Sequence, residues 1–592
     1  MNRNRARSVT LALALAASGC SIPLSDIELG PVNQCTASSD CATGAVCASV
    51  NGAGTCVATE ADLPGLILEV RPHASSAFGP NVSFLVDVAQ QGLALQDIDT
   101  AGQVRGFDPQ LSTLARVDGK LHLPEGAPRC EVPASGDRSF PASAVFRRVA
   151  PFFGLPPAEY TASAVTEADD AGNLIGYAFH ADLPKGKYDI YVVPEVPMGC
   201  TNGPLPVFLA QTDITGATNA LNIDATPKRK LAGQLVEIPL DMSVDGWSLE
   251  LVEPKYGALL SQTQTLAHPQ GESEVAFDVD YDWTDQEDFT PIVRLRPPEG
   301  KALPALHWDL DVVFLMNPDS NAQLSLSELD AVRHVEGQVL DDSGQPVVAT
   351  VQFQSMKLDQ DSAQTFRLEA DTDEAGVFAA DLPPGRYRVV ARPVDLTKAV
   401  AAKEIEFPAD EECFCGQSIV VPDMGVLRGS VSGPAGEPMD PAYVVAAPSP
   451  LGETGYFAQF IALQPPQPRE AATQLSAGMF ALEVDPGTFD FSVRPPDGLG
   501  YPWLVRPRLF VAPSDIAAAS DLDPMTVSYP AILHGVIRDP AGGALAGAVV
   551  RAWLPVSDHA RSNEPAGVIQ IGETLAQIDG SYILPLPPSL SE

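Results

Sequence analysis

Basic residues are scarce: 36 lysines and arginines stand against 76 aspartates and glutamates in 592 residues, a formal charge of −40. A surface of that sign repels phosphate, which excludes nucleic acid as a partner and makes anionic lipid head groups a poor docking surface. Histidine is scarce too, and its eight copies (73, 122, 180, 268, 307, 334, 534 and 559) are scattered singly. No HExxH or HxH grouping occurs, although catalytic zinc needs three protein ligands and an open position. His334 stands three residues before Gly337 and His534 one before Gly535, within β-like runs where a strand surface is the expected role. GxSxG, SxxK and P-loop patterns are also missing, so no catalytic residue and no cofactor is expected. Long apolar runs are lacking at the N-terminus: Val9 to Ala17 covers nine residues where a membrane-spanning helix needs about 20.

What that N-terminus does contain is a basic stretch with Arg3, Arg5 and Arg7, the short apolar run, and small residues before Cys20. The three zones read as an export leader that is removed. Ala17-Ser18-Gly19-Cys20 resembles the lipobox of bacterial lipoproteins, which implies diacylglyceryl attachment at Cys20 and cleavage before it; Ala17 stands where Leu is commonest. Two or three acyl chains anchor stably where one holds only marginally. Ser21, rather than Asp, follows the cysteine, and in the sorting rule of such lipoproteins that implies the outer membrane. Without the leader arginines the balance is 33 basic against 76 acidic residues, a formal −43, so attachment has to come from lipid rather than from a basic face.

Four of the nine cysteines, Cys35, Cys41, Cys47 and Cys56, fall within about 25 residues. A segment so short cannot bury enough apolar surface to fold unaided, and an oxidising compartment permits cross-links. Zinc is the competing reading, but the close C-x2-4-C pairs of structural zinc sites are missing here; the three possible disulfide pairings remain open. Cys130 and Cys200 are expected to pair across the next domain. Cys413 and Cys415 flank Phe414, and closure on one another, bonds elsewhere or a reactive pair all stay open. The four-cysteine pattern resembles modules found behind the lipobox of myxobacterial surface lipoproteins.

The 55 prolines and 47 glycines are spread along the chain, so turns recur at short intervals. One opening phrase occurs four times: KLAGQLVEI around Gly233, HVEGQVLDDSGQP around Gly337, VLRGSVSGPAGEP around Gly429 and ILHGVIRDPAGGAL around Gly535. A pitch near 100 residues suits one sandwich per repeat and is too long for a solenoid. A second phrase, strand, Pro-Gly turn, strand, occurs at 170–194, 373–393 and 476–496. After the turn Tyr387, Val389 and Ala391 alternate with Arg386, Arg388 and Val390, the period-2 signature of a strand with one core face. The aromatics at 188, 387 and 489 are expected to plug the cores.

The paired phrases resemble the carboxypeptidase regulatory-like domain, a transthyretin-like β-sandwich grouped with carbohydrate-binding-like folds. The resemblance is clearest over 334–395, good over 426–496 and partial over 531–588, where the last unit lacks a closing strand. Residues 62–225 share the hairpin without the opening phrase, and Pro297-Pro298-Glu299-Gly300 is an uncertain counterpart of the turn in 229–330. The fold class expected is all-β: tandem transthyretin/prealbumin-like sandwiches behind a small disulfide-rich module. The expected divisions are a leader at 1–19, lipidated Cys20 with the four-cysteine module to 60, divergent sandwiches at 61–225 and 226–330, regulatory-like domains at 331–424 and 425–528, and a partial one at 529–592.

Two features of the chain are rich in carboxylates and amides. Asn317, Asp319, Asn321, Gln323, Ser325 and Glu328 fall at positions 1, 3, 5, 7, 9 and 12 of a loop like that of an EF-hand, but Ala322 stands where the sharp turn wants Gly and a β-like run precedes it. A calcium site of Asn317, Asp319, Asn321 and Glu328 is therefore the minor reading, and a polar linker the main one. The run 278–288 packs six carboxylates into eleven residues and reads as a solvated loop. The expected function is that of an exported, lipid-anchored envelope protein with a structural or adhesive role, its partners being the membrane and a glycan or envelope protein. A carbohydrate-binding role follows from the fold grouping alone.

Overall fold

In the computed structural model the described residues run from 33 to 590, with breaks at 79–81, 89–97, 100–101, 124–141, 150–154, 156–157, 169, 171–173, 195–204, 226–228, 240–241, 255–256, 269–271, 282, 284–288, 299–302, 304, 311–321, 328–331, 356–363, 409–412, 450–467, 512–519 and 557–566. Their regular secondary structure is almost wholly strand. No described helix is long and apolar enough to cross a membrane.

The clearest repeat, the third sandwich, sets the plan. Its opening strand Arg333–Asp341 lies between Val377–Leu382, antiparallel, and Cys413–Val421, parallel. A four-stranded layer faces it, in the order Gln364–Asp371, Ala349–Ser355, Gly385–Pro393, Ala401–Phe407. The turn before Gly385 holds that residue at φ +152°, where a side chain is disfavoured, and the strand then buries Tyr387, Val389 and Ala391. Tyr387 donates from its hydroxyl to the carbonyl of Pro383 (2.9 Å), Tyr188 does the same to Pro184 (2.6 Å), and Phe489 fills the matching place without a hydroxyl. These aromatics plug their cores as the alternation predicts.

The same seven-strand order is found in the second sandwich (229–326) and in the fourth (425–527). In the second, the opening strand Arg229–Val236 pairs antiparallel with Val275–Tyr281, which runs on toward the strand Ile292–Arg296. Pro297 and Pro298 follow that strand, so they belong to the next turn and are not the counterpart of the Pro-Gly hairpin. Trp283 in the true connection is buried and donates from its indole to the Phe289 carbonyl at 3.0 Å. The rest of the acidic run, Asp282 and 284–288, lies outside the described residues.

The first sandwich (115–224) also follows the plan, and its opening strand, Ala115–His122, carries a fifth repeat glycine, Gly119, that the phrase search misses. Each opening glycine faces an aromatic across the antiparallel ladder: Gly119 and Phe179, Gly233 and Phe277, Gly337 and Phe378, Gly429 and Phe480, Gly535 and Tyr582. The reason is space. A Cβ at Gly337 would sit 2.4 Å from Phe378 Cζ, and one at Gly119 only 2.0 Å from Phe179 Cζ. At Gly119, Gly233, Gly337 and Gly429 the facing ring takes the space of a Cβ, and at Gly535 the Phe107 carbonyl does, 2.0 Å from that position.

Two of the expected divisions are redrawn. The second and third sandwiches are not separate beads, because Ala305–Asp309 pairs with Gln364–Asp371 and joins their layers into one eight-stranded sheet over a shared core. An edge strand with Leu306 and Trp308 buried would otherwise expose its ladder, and pairing removes that edge. The stretch 61–225 is not one sandwich. Its part before Leu111 packs against the C-terminal unit, and the first sandwich begins at Ala115.

Candidate functional site

The C-terminal unit supplies an opening strand, Ala531–Val536, with its antiparallel partner Ser581–Leu586, and two strands of the facing layer, Val549–Val556 and Gly567–Leu575. Three strand positions of the plan are then vacant, and the other end of the chain fills all three. Ile67–Arg71 pairs antiparallel with Val549–Val556, and Phe84–Asp87 adds beyond it. Residues 104–111 run parallel beside the opening strand: the Phe107 N–H donates to the His534 carbonyl (2.7 Å), the Leu111 N–H to the Arg538 carbonyl (2.9 Å), and Arg538 N–H to the Pro109 carbonyl (3.0 Å). The strand after the turn that the last repeat lacks is therefore Ile67–Arg71, residues 104–111 take the place of the last parallel strand through these bonds and one bridge, Gln110 to Arg538, and the fifth sandwich is assembled from both ends.

Apolar burial drives the joint. Leu68, Val70, Phe84, Val86, Phe107 and Leu111 share one core with Leu533, Val550, Ala552, Ile571, Tyr582 and Leu584. Burying a side chain of that size is worth about 1.5–3 kcal/mol, so the six from the N-terminal side contribute on the order of 10 kcal/mol before ordering costs. Polar groups fix the register. Glu69, 2% exposed, accepts from Arg71 Nε (2.6 Å), Ser83 Oγ (2.9 Å) and Trp553 Nε1 (3.2 Å), with Arg551 Nη1 at 3.9 Å. Asp108 accepts the Val536 N–H at 2.8 Å. Tyr582 donates from its hydroxyl to the Phe107 carbonyl at 2.9 Å, and burial pushes its phenol far up, so it stays a donor. His534 is not on a strand surface, as expected, but buried in this joint with Nε2 2.8 Å from the Val104 carbonyl. His334 does lie exposed, with Nδ1 2.9 Å from Asp381.

The four-cysteine module caps the joint. Cys35 is bonded to Cys47 and Cys41 to Cys56, so the sulfurs that cluster at this point are held in pairs rather than as zinc ligands. The module docks on the last sandwich and on the loop before it: Ala58 N–H donates to Pro530 (2.9 Å), Ala42 N–H to the Tyr529 hydroxyl (3.2 Å), and Ile532 enters its small core.

The other neighbours also touch. Phe208 of the first sandwich packs edge-on against Phe289 of the second at 5.6 Å. Between the third and fourth, Asp485 has a fully buried side chain and accepts from Val400 N (2.9 Å), Arg469 N (2.9 Å) and the Arg469 guanidinium (2.7 and 2.8 Å), which itself donates to the Lys398 carbonyl. Trp503 and Val505 of the fourth enter the core of the fifth, and the Ser83 N–H of the fifth donates to Tyr160 of the first at 3.3 Å. The row of five thus returns on itself.

Cys20, Cys130, Cys200, Asn317, Asp319, Asn321 and Glu328 lie outside the described residues. Gln323 and Ser325 sit on the strand Ala322–Ser325, parallel to Gly233–Val236. Cys413 and Cys415 are bonded to each other beside buried Phe414. All five tryptophans (247, 283, 308, 503 and 553) are buried, so none offers a stacking platform for sugar rings.

No family model and no curated protein matches the chain. Solved structures that resemble it include the Streptococcal ancillary pilin (10% identity, 69% of this chain and 98% of that chain, TM-score 0.20) and the minor pilin of the gram-positive pathogen Streptococcus agalactiae (13%, 33% and 96%, TM-score 0.21). The major pilin subunit of Bacillus cereus is another (8%, 52% and 99%, TM-score 0.13). At these identities the likeness is one of β-rich, multi-domain build alone. The outer-membrane address expected from Ser21 is corrected here: these pilins come from gram-positive cells, which have no outer membrane, and Ser21 lies outside the described residues.

Proposed function

We propose that the chain is an exported, non-catalytic protein of the cell surface that serves as a structural or adhesive element, held to a membrane through acyl chains on Cys20. The observation that carries this reading is the repetition of one sandwich plan five times, with each unit packed on the next and the fifth on the first. Buried ionisable groups in the joints, such as Glu69 and Asp485, are saturated by partners that hold register, which is architecture rather than reactivity. The carboxypeptidase regulatory-like identity of the individual sandwiches is supported by the Pro-Gly hairpin and its buried aromatic.

Asn33, at the start of the module, donates from Nδ2 to the Gly500 carbonyl of the fourth sandwich at 3.4 Å, so the described chain begins where the fourth and fifth sandwiches meet. Metabolic labelling with an alkyne fatty acid, comparing the wild-type chain with Cys20→Ala, tests the anchor, and protease added to intact cells tests the surface address. Equal membrane partition of both chains, or full protection from protease, would sink the reading.

A further inference from the structure

We infer that the N-terminal part of this chain is an exchangeable plug, and that its socket in residues 531–586 accepts the same segment from a second copy of the protein. The plug is residues 33–111: the disulfide module and three strand segments. It leaves the first sandwich through three connecting residues, 112–114, and meets the socket across more than 400 residues of intervening chain.

Three observations point to exchange. First, the plug fills whole vacant strand positions of a repeated plan, so an unfilled socket is an open sheet edge beside an open core, which must be covered by some copy of the segment. Second, the contacts are non-covalent. Both disulfides of the module are internal to it, and among the described residues no disulfide joins plug to socket. Third, the disulfide module of the plug is held by two internal cross-links and Ile532 is the one socket residue in its small core, so the module keeps its own fold when it leaves and docks. The same contacts serve in cis and in trans, and the choice is set by effective concentration against protein concentration. Exchange of an identical element between copies is a low-cost route to assembly, and a short connection such as 112–114 favours it. Reciprocal exchange gives a closed dimer; passing the plug onward gives an open head-to-tail row. Crowding on a surface raises the local concentration and favours both.

Complementation between two full-length variants tests this. Val70 and Val550 are both fully buried and face each other in the ladder. Val70→Asp spoils the plug and leaves a sound socket; Val550→Asp does the reverse. With different affinity tags, each variant alone is expected to be monomeric and to be clipped by protease between 531 and 586. Unfolded and refolded together, they are expected to form a 1:1 complex, with the clipping slowed at least tenfold. Absence of a mixed complex overturns the inference. Should either variant lose the first four sandwiches as well, two tagged wild-type chains decide: co-capture after joint refolding at high concentration supports exchange, and its absence overturns it.

Discussion

The hydroxyl of Tyr582 lies 2.9 Å from the carbonyl of Phe107, a hydrogen bond across 475 residues of chain. Tyr582 is also the aromatic that faces Gly535, so the group that caps the last repeat is the one that recognises its borrowed strand. Tyr582→Phe keeps the ring and leaves the Phe107 carbonyl without this donor. A cost of about 1–3 kcal/mol at the joint follows. Hydrogen exchange resolved by peptide should show residues 67–71 and 549–556 speeding up together, with 115–122 unchanged. Unchanged protection at the joint would show that the bond contributes nothing there.

The five glycine–aromatic pairs separate two kinds of constraint. At Gly429 a Cβ would meet only the Phe480 ring closely, at 2.6 Å, whereas at Gly233 it would meet the Ala322 carbonyl at 2.0 Å besides the Phe277 ring. A side chain can move aside and a paired backbone cannot. Gly429→Ala and Gly233→Ala should each cost about 1–3 kcal/mol, as overpacking does. Adding Phe480→Leu should recover most of the first loss, and adding Phe277→Leu little of the second. Denaturant unfolding of the four double and single variants measures both couplings; equal rescue at the two sites would refute the distinction.

The opening phrase and Pro-Gly hairpin made the third and fourth sandwiches legible, because both are local patterns with strict alternation. Gly119 was missed although ARVDGKLH alternates buried and exposed residues throughout and Gly126 and Pro128 follow it at the spacing at which Gly344 and Pro346 follow Gly337. The filling of the last unit was out of reach for a different reason. Ile67–Arg71 reads as an ordinary strand, and nothing in five residues specifies a partner in Val549–Val556. Likewise the sheet shared by Ala305–Asp309 and Gln364–Asp371 is a tertiary choice between two edges. His534 shows the same limit at a single residue: its strand was correctly read, but which face is covered depends on residues 104–111.

The two bonds of the N-terminal module close short loops, with separations of 12 and 15 residues. A loop near 15 residues is worth about 3 kcal/mol in the chain-entropy account, a large share for a module whose core has only a few residues. Reduction should therefore release 33–58 before any sandwich. Limited proteolysis with and without a reductant checks this: early cuts are expected in 33–58, and the fragment from 115 onward should persist. Simultaneous loss of both would mean that the module carries the fold of its neighbours.

Asp485 gives the joint between the third and fourth sandwiches a pH dependence of definite sign. Burial raises its pKa, but the Arg469 guanidinium and the N–H groups of Arg469 and Val400 outweigh it, and the net shift is below the ordinary 3.8. A carboxylate depressed in the folded state contributes stability that is fully present above its unfolded value and is lost as pH falls through the folded one. The joint should thus be unaffected between pH 7 and 5 and weaken below about pH 4. Asp485→Asn should abolish that acid dependence, and Arg469→Met, which strands a buried carboxylate, should cost about 3–5 kcal/mol at neutral pH. Exchange of the Val400 amide, bonded only across this joint to Asp485, reports it directly when followed from pH 7 to 3. A Val400 amide whose protection stays flat to pH 3 in the wild-type chain, after correction for the intrinsic rate, would show that Asp485 does not hold the two sandwiches together.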